Sequence, residues 1–455
     1  MTVLEPQRPT LHEFVAEDGG TLIEVAEWIA GRLADRPSAP SPRAPIADLP
    51  QVGQRGIGSR AAWAVLRDQV LPTAFPTDHP RYLAFVGGAP TPASVLADAA
   101  LSASAVYGGS ELEAGVVVAA ERAAIGWLCS LVGYPGGAHG AFVSGGSLAN
   151  LSALVAARHG RTAPTGGLPD VIVAGASAHS SIRAAAEIMG CRLVSAGRPD
   201  TPLSTADLVP VLDRLDPAEV AAVVASAGAT NAGTVDHLGE VADLCRERGM
   251  WLHVDAAYGG AAMLATSHRP LFAGIERADS VTIDPHKWLF TPFDCAAVLY
   301  RDPTQALAAH RQHAAYLDAV NDHESDNPSD YAVHLTRRSR GIPLWTSLLA
   351  YGTDAYVAAV EQCLSTTDSA VTQIEDRPWL ELATESHLSV VLFRRRGWQA
   401  SDYIAWSRQA WTQRLGLVTP TGYAGETVLR FCFVNPDTTD ADVALILDSL
   451  REEPR

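Results

Sequence analysis

Basic residues are scarce in this sequence: 34 lysines and arginines stand against 51 aspartates and glutamates in 455 residues, which gives a formal net charge of −17. Nucleic acids and anionic membranes are bound through basic surfaces, so this balance argues against both as partners. The sequence also lacks an uninterrupted apolar run of about 18 residues, so we expect no membrane span. Its first residues lack a basic stretch followed by an apolar core, so we expect no secretion signal.

Cysteine is scarce too, and its spacing does not match a metal-binding motif. Most of the six cysteines stand among apolar residues, which is typical of buried free thiols in a reducing compartment, so we expect a cytoplasmic protein without a metal site. They are Cys129, Cys191, Cys245, Cys295, Cys363 and Cys432. With 455 residues and a hydrophobic fraction of 47%, the chain is long enough for a large core and more than one domain.

Lys287 stands at the end of an apolar run, in the stretch Ser280–Phe290 (SVTIDPHKWLF). Apolar surroundings disfavour the charged form of a lysine, so we expect a lowered pKa. An uncharged amine can attack a carbonyl group and hold it as a Schiff base. The alternative is a surface lysine whose aliphatic stem lies on a hydrophobic strand.

Asp255 ends a second apolar run, in Trp251–Gly260 (WLHVDAAYGG), and is predicted to lie at the C-terminal end of a buried strand. Buried carboxylates are rare unless they are paired. A protonated pyridine nitrogen is a fitting partner, because a pyridoxal phosphate (PLP) enzyme needs a lysine for the aldehyde and an acid for the ring nitrogen. Taken alone, Asp255 also fits a turn or a helix cap.

The two motifs His253–Tyr258 (HVDAAY) and Asp284–Leu289 (DPHKWL) together resemble those of the group II PLP-dependent amino-acid decarboxylases. The resemblance extends from about residue 79 to about residue 436. It implies the type I fold of PLP-dependent transferases, as in aspartate aminotransferase, with PLP as cofactor. It also implies a homodimer with the active site at the subunit interface.

The activity implied by the resemblance is decarboxylation of an L-amino acid to an amine and carbon dioxide. An aromatic substrate is favoured. An acidic or other small amino acid stays open as substrate. So do an aldehyde synthase or carbon–carbon lyase of the same fold, and a scaffold without activity.

Two serine-containing stretches are candidates for the cofactor phosphate. Ser144–Asn150 opens a predicted helix whose free amide groups suit an anion, and the resemblance assigns Gly146 and Ser147 to the phosphate. An ordinary glycine turn with a serine cap is the alternative. His179 matches the family's histidine that stacks on the PLP ring, although it also fits a helix cap, and Ser180 matches a phosphate contact.

The resemblance assigns four further residues to the cofactor site. Thr230 is expected near the ring or the substrate carboxylate, although turn chemistry explains it equally well. Ala257 is small enough for the ring to lie flat against the backbone. His286 is expected near the phosphate or the substrate, and Asp284 stands where some relatives have an amide.

Aromatic residues before the first glycine-rich motif are predicted to form the substrate entrance. His79, Tyr82 and Phe85 fall in one segment that is an entrance in the family, with a plain loop as the alternative. Tyr107 precedes two glycines at a place from which relatives reach across the dimer. Arg340 is a candidate for a carboxylate or structural contact, or for a pair with surface acids.

The polar segment 320–341 predicts a mobile loop. The family carries a catalytic loop here, and Tyr331 matches its tyrosine, which would protonate the substrate Cα; an aromatic side chain that merely packs is the alternative. The predicted catalytic set is therefore Lys287, Asp255, His179 and Tyr331.

Short apolar runs near residues 171, 221, 252, 281 and 296 alternate with helical segments, which predicts an α/β fold with a mostly parallel sheet. Such sheets bind ligands at the C-terminal ends of their strands, where Thr230, Asp255 and Lys287 stand. We expect an N-terminal helical arm that wraps the partner (1–85), a large PLP-binding α/β domain (86–350) and a small α+β domain (351–455).

Overall fold

A computed structural model describes residues 14–35, 49–161, 167–318 and 326–452. Within these ranges the large domain contains a seven-stranded sheet with the order β1-β7-β6-β5-β4-β2-β3. Strand β7 runs antiparallel to both of its neighbours, and the other pairs are parallel, which confirms the mostly parallel sheet. The strands are β1 (His139–Val143), β2 (Val171–Gly175), β3 (Arg192–Ala196), β4 (Val220–Ser226), β5 (Leu252–Asp255), β6 (Ser280–Ile283) and β7 (Ala296–Tyr300).

The central strands are buried along their whole length because helices cover both faces of the sheet. Every residue of β2, β4, β5, β6 and β7 is buried, and these are the five strands that the apolar runs predict. The helices of this domain are α3 (Pro92–Ser104), α4 (Glu111–Val132), α5 (Gly146–His159), α6 (Ser180–Met189), α7 (Thr205–Leu212), α8 (Leu238–Glu247) and α9 (Thr304–His310).

Helix α4 is the helix in the described ranges that is long and apolar enough to cross a membrane, judged by length and composition alone. A core helix of a soluble protein meets the same criterion, so this is weak evidence. Its Val118, Leu128 and Val132 are buried in the core, and its buried Glu121 pairs with Arg337. These contacts are those of a helix packed inside a protein.

The small domain is built on an antiparallel four-stranded sheet with the order β10-β11-β9-β8, which agrees with the predicted α+β unit. Its strands are β8 (Leu380–Leu382), β9 (Val390–Arg395), β10 (Thr419–Tyr423) and β11 (Glu426–Cys432). Helices α10 (Ile342–Glu375), α11 (Ala400–Thr412) and α12 (Asp440–Ser449) complete it. Helix α10 crosses the expected domain boundary and bends at Gly352, whose φ is 74°.

The N-terminal arm contains α1 (Ala16–Ala34) and α2 (Ser59–Val65), joined by an edge-to-face contact of Trp28 and Trp63 with centroids 5.5 Å apart. Residues 1–13 and 36–48 of the predicted arm lie outside the described residues. The end of the arm joins the small domain, because Leu83 exchanges backbone hydrogen bonds with Leu417 and Cys432 (each 3.0 Å).

Candidate active site

A cavity of about 270 Å³ opens where the strands β1, β2, β4, β5 and β6 end. Each strand delivers a short segment to it, so residues far apart in sequence meet at one edge of the sheet. The lining residues are Gly145, Gly146, Ser147, Asn150, His179, Ser226, Gly228, Ala229, Thr230, Asp255, Ala257, Tyr258, Asp284, His286 and Lys287. The structure thus brings together every predicted cofactor residue except Ser180, which is exposed in the first turn of α6.

Asp255 is held at the C-terminal end of β5 by hydrogen bonds to both carboxylate oxygens. Its Oδ2 accepts from Asn150 Nδ2 (2.8 Å), and its Oδ1 accepts from the backbone N of Ala257 (3.1 Å). The sequence reasoning missed Asn150, which stands four residues after Gly146 and therefore on the same side of α5. This four-residue spacing from Gly146 is the sequence signal from which Asn150 could have been predicted.

Lys287 is the only lysine in the sequence, a fact that strengthens its assignment beyond its apolar context. Its Nζ lies 2.9 Å from Asp284 Oδ2, and the Asp284 side chain is 1% exposed. Burial lowers the pKa of Lys287, but the carboxylates of Asp284 and Asp255 raise it by more, so the net pKa is raised. The predicted lowered pKa is therefore wrong for this arrangement, because Asp284 provides a negative charge beside the amine.

The start of α5 forms a cradle of backbone amides. Gly145 precedes this 14-residue helix and carries no side chain that could cap it. A Cβ atom on Gly146 would come within 2.8 Å of Asp284 Oδ2 and 3.2 Å of the Ala257 Cβ, so glycine is required for the close approach. The Gly146 N–H donates to Asp284 Oδ2 (3.2 Å) and the Leu148 N–H to Gly145 O (2.9 Å), so the Ser147 N–H is the amide of this first turn that is left for an anion such as phosphate.

His179 combines the two roles that the sequence left open. It caps α6, because its Nδ1 accepts from the backbone N of Ser181 (3.2 Å), and its ring also lines the cavity. His286 lines the cavity as well, and burial lowers its pKa, which favours the neutral imidazole near pH 7. Its Nδ1 accepts from the backbone N of Cys295 (3.1 Å).

Arg430 of β11 is a second residue that the sequence reasoning missed. It is 7% exposed, and its guanidinium donates to the backbone oxygens of Thr230 (2.7 Å), Phe85 (3.0 Å) and Asn231 (3.2 Å). One side chain of the small domain therefore fixes the Thr230 segment of the cavity and places Phe85 beside it. No local sequence signal indicates such a contact, since Phe85 and Arg430 are 345 residues apart.

Three predicted substrate residues take other places in this chain. His79 is buried, accepts at Nδ1 from the backbone N of Arg81 (3.0 Å) and packs edge-to-face on Phe75. Tyr82 packs on the same phenylalanine. Neither residue lines the cavity of its own chain, so their place at the substrate entrance stays a prediction. The Tyr107 hydroxyl donates to the backbone O of Leu335 (3.1 Å), also outside the cavity of its own chain.

Arg340 is corrected from a carboxylate contact to one half of an ion pair. Its Nε lies 3.0 Å from Asp294 Oδ1, and a second bond joins Nη2 to Oδ2 (3.2 Å). Asp294 is a partly exposed surface acid, which is the alternative that the sequence left open for Arg340. Because two parallel bonds fix this guanidinium, it does not extend into the cavity.

Tyr331 is 4% exposed and stacks on His139 of β1 with ring centroids 4.6 Å apart. Its hydroxyl donates to Asp326 Oδ2 (3.2 Å), and its backbone O accepts from the hydroxyl of Tyr300 in β7 (3.1 Å). The predicted mobile loop is therefore wrong for residues 326–331, which pack on the edge of the sheet.

Residues 320–325 of the predicted loop lie outside the described residues. Within the described ranges Tyr331 does not line the cavity of its own chain. Its role as proton donor stays a prediction.

The residues of the cavity fit PLP. An acid for the ring nitrogen, a single amine for the aldehyde and a helix start for the phosphate all face one space. The buried Oδ1 of Asp284 has no hydrogen-bond partner among the described residues, which is unusual for a buried carboxylate and leaves one acceptor for a bound group.

The family model described as "Pyridoxal-dependent decarboxylase conserved domain" matches residues 66–396. The chain belongs to the pyridoxal-dependent decarboxylases. This decarboxylase is 30% identical over 390 residues to an aromatic-L-amino-acid decarboxylase of Bacillus atrophaeus, covering 82% of this chain and 81% of the relative. It is 32% identical over 425 residues to an L-2,4-diaminobutyrate decarboxylase of Rhizobium meliloti (strain 1021), covering 90% of this chain and 85% of the relative.

A solved structure shares the fold of this decarboxylase. The crystal structure of Oryza sativa TDC with PLP and tryptamine matches 97% of this chain and 99% of its own, with a TM-score of 0.87 and 23% sequence identity. The predicted type I fold is confirmed. PLP is the cofactor and an amino acid the substrate class, while relatives with different substrates leave the amino acid itself undetermined.

Proposed function

We propose that this decarboxylase converts an aromatic L-amino acid to its amine and carbon dioxide. The proposal is carried by two residues with exposed phenyl rings, Phe85 and Phe293, which are not among the lining residues of the cavity but lie close to two that are, Thr230 and His286. Phe85 is 59% exposed and its backbone O shares the Arg430 guanidinium with Thr230, which lines the cavity. Phe293 is 56% exposed and its ring lies 4.9 Å from the ring of His286, another lining residue. Two such rings offer apolar surface to an aromatic side chain.

The roles of the protein groups follow from their positions. PLP, when bound, supplies an acceptor for the electrons released when the Cα–carboxylate bond breaks. Asp255 is fixed by Asn150 and Ala257 so that it can hold a proton at the ring nitrogen. Lys287 would provide the amine for the aldehyde, and the start of α5, with its Ser147 N–H, would hold the phosphate.

An acidic substrate is disfavoured by the charges of the cavity. Asp255 and Asp284 line it, Lys287 is the basic residue among its lining residues, and Arg340 is bound to Asp294. A substrate with a second carboxylate would lack an arginine partner there and would meet two carboxylates.

A diamino acid is the second candidate. The carboxylates of Asp255 and Asp284 both belong to lining residues of the cavity, and their negative charge suits a second ammonium group. The relative named L-2,4-diaminobutyrate decarboxylase, which covers 90% of this chain, supports the same candidate.

The first prediction concerns substrate choice. Replacing Phe85 and Phe293 together by alanine should lower kcat/KM for aromatic substrates about 10- to 100-fold, because a phenyl contact contributes about 1.5–3 kcal/mol. The measurement is carbon dioxide release from a panel of aromatic, diamino and acidic L-amino acids, with ammonia assayed in parallel to detect aldehyde formation.

Leu271→Ala is the control, since Leu271 is 52% exposed and is not among the lining residues of the cavity. The aromatic proposal fails if the wild-type protein prefers a diamino acid, or if the double variant treats all substrates as the wild type does. Release of ammonia together with carbon dioxide would indicate the aldehyde synthase.

We also propose a homodimer and a cytoplasmic location. The arm carries unusually exposed apolar side chains, among them Phe14 (71%), Leu22 (60%) and Ile23 (62%), as a surface covered by another subunit would. All six cysteines are free thiols, as expected in a reducing compartment.

The second prediction tests the dimer and Tyr331 together. Lys287→Ala chains and Tyr331→Phe chains should each be nearly inactive alone. After mixing under conditions of subunit exchange, about a quarter of the wild-type activity should return, because each mixed dimer keeps one site with both residues intact. Unmixed samples of each variant are the controls. Full activity of Tyr331→Phe alone would remove Tyr331 from the mechanism, and no recovery would place its action within its own chain.

A further inference from the structure

Asn150 lies at the centre of a buried hydrogen-bond network beneath the cavity. It is 1% exposed, and its Nδ2 lies 2.8 Å from Asp255 Oδ2 and 3.0 Å from Ser181 Oγ. Its Oδ1 lies 3.0 Å from the Nε2 of His253, a residue with 0% exposure. The two amide hydrogens and the amide oxygen are thus all engaged.

The direction of each hydrogen bond follows from the two ends of the network, which are the Trp251 indole and the Asp255 carboxylate. An indole N–H only donates and a carboxylate without its proton only accepts. The Asn150 amino group must therefore face Asp255, and its oxygen must accept from His253. His253 then carries its hydrogen on Nε2.

The other nitrogen of His253 agrees with this assignment. Its Nδ1 lies 2.9 Å from Ser280 Oγ, which itself accepts from Trp251 Nε1 (2.9 Å). The Ser280 hydroxyl is consequently free to donate to Nδ1. Burial lowers the pKa of His253 to about 4, so the ring is neutral near pH 7.

The second branch leads from Asn150 to the histidine in the cavity. Ser181 Oγ accepts from Asn150, so its hydroxyl hydrogen is available for His179 Nδ1 at 2.9 Å. The backbone N of Ser181 donates to the same Nδ1 (3.2 Å). His179 therefore accepts at Nδ1, and in its neutral form carries its hydrogen on Nε2.

We propose that Asn150 is a positioning residue that orients Asp255 and His179 at the same time. One amide hydrogen fixes the carboxylate for the ring nitrogen of PLP, and the other, through Ser181, fixes the tautomer of His179. His253, Ser280 and Trp251 hold the amide in the one orientation that allows both. This inference rests on PLP binding and is independent of the substrate.

The test combines PLP affinity with the protonation of the histidines. Asn150→Ala should weaken PLP binding to the apo-protein about 10- to 100-fold, because Asp255 loses a hydrogen bond to its charged form. Nitrogen-15 NMR of histidine side chains should show the neutral Nε2–H form of His253 and His179 in the wild-type protein. In the variant, His179 should lose its single tautomer.

Ser152→Ala is the matched control, two residues along α5, because the Ser152 hydroxyl is buried and its partners among the described residues are Leu148 O and the backbone N of Val333, outside the Asn150 network. It should leave PLP affinity within about 2-fold. The proposal is overturned by an Nδ1–H or charged His253 in the wild-type protein, a measurement that does not depend on a variant's folding. It is equally overturned if Asn150→Ala lowers only the melting temperature and leaves PLP affinity and the His179 tautomer unchanged.

Discussion

Replacing Lys287 by alanine is expected to abolish covalent attachment of PLP and to reduce decarboxylation by about 10³-fold or more, as when other groups that act on reacting atoms are removed. Because Lys287 is the only lysine of the chain, no neighbouring side-chain amine can replace it. Borohydride reduction of the wild-type holoenzyme followed by peptide mass spectrometry should place the cofactor on Lys287 alone, and the variant should lack both the mass increase and the visible absorbance.

Lys287→Arg is the companion variant, since it keeps the positive charge beside Asp284 but cannot form the imine. It should be as inactive as Lys287→Ala while retaining more of its thermal stability. Substantial turnover in either variant, or a reduced cofactor on any other residue, would contradict the assignment.

Replacing Glu121 by alanine is expected to lower the free energy of unfolding by about 3–5 kcal/mol, because it leaves a buried guanidinium without its counter-charge. The Arg337 side chain is 0% exposed, and its two terminal nitrogens bond to the two oxygens of Glu121 (2.6 and 2.8 Å). Glu121 also accepts from the backbone N of Gly341 (2.7 Å). Urea-induced unfolding at fixed PLP concentration measures the loss.

Asp98→Ala provides the matched comparison. It breaks the Asp98–Arg338 ion pair of the same 2.6 Å length, but these side chains are 28% and 38% exposed, so a loss below about 1 kcal/mol is expected. Equal losses in the two variants would show that burial does not determine the contribution of the Glu121 pair.

The strands of the sheet could be predicted where burial of both faces requires a continuous run of apolar residues. Strands β2, β4 and β5 are continuous apolar runs because both of their faces are covered. Strand β3 was missed because it lies at the edge of the sheet and exposes Arg192 and Ser195. Strand β1 was missed as well; it starts with His139 and Gly140, which resemble a loop.

The cavity was predictable where its residues belong to a motif and end a strand, as Asp255 and Lys287 do. Contacts between parts of the chain that are distant in sequence could not be predicted. Arg430 of the small domain donates to the backbone O of Thr230, and Asp284 accepts from the backbone N of Gly146, 138 residues away in sequence. Tyr331 was assigned to a mobile loop because its sequence neighbours are polar. Its burial depends on stacking against His139, which is distant in sequence and could not be predicted from the local pattern.

The guanidinium of Arg430 connects the small domain directly to the Thr230 segment, which lines the cavity. Because it donates to the backbone oxygens of Phe85, Thr230 and Asn231 at once, a displacement of β11 would move the Thr230 segment of the cavity with it. Thr230 and Asn231 belong to the large domain, so any separation of the two domains would have to break their hydrogen bonds to Arg430, and this contact therefore opposes the separation.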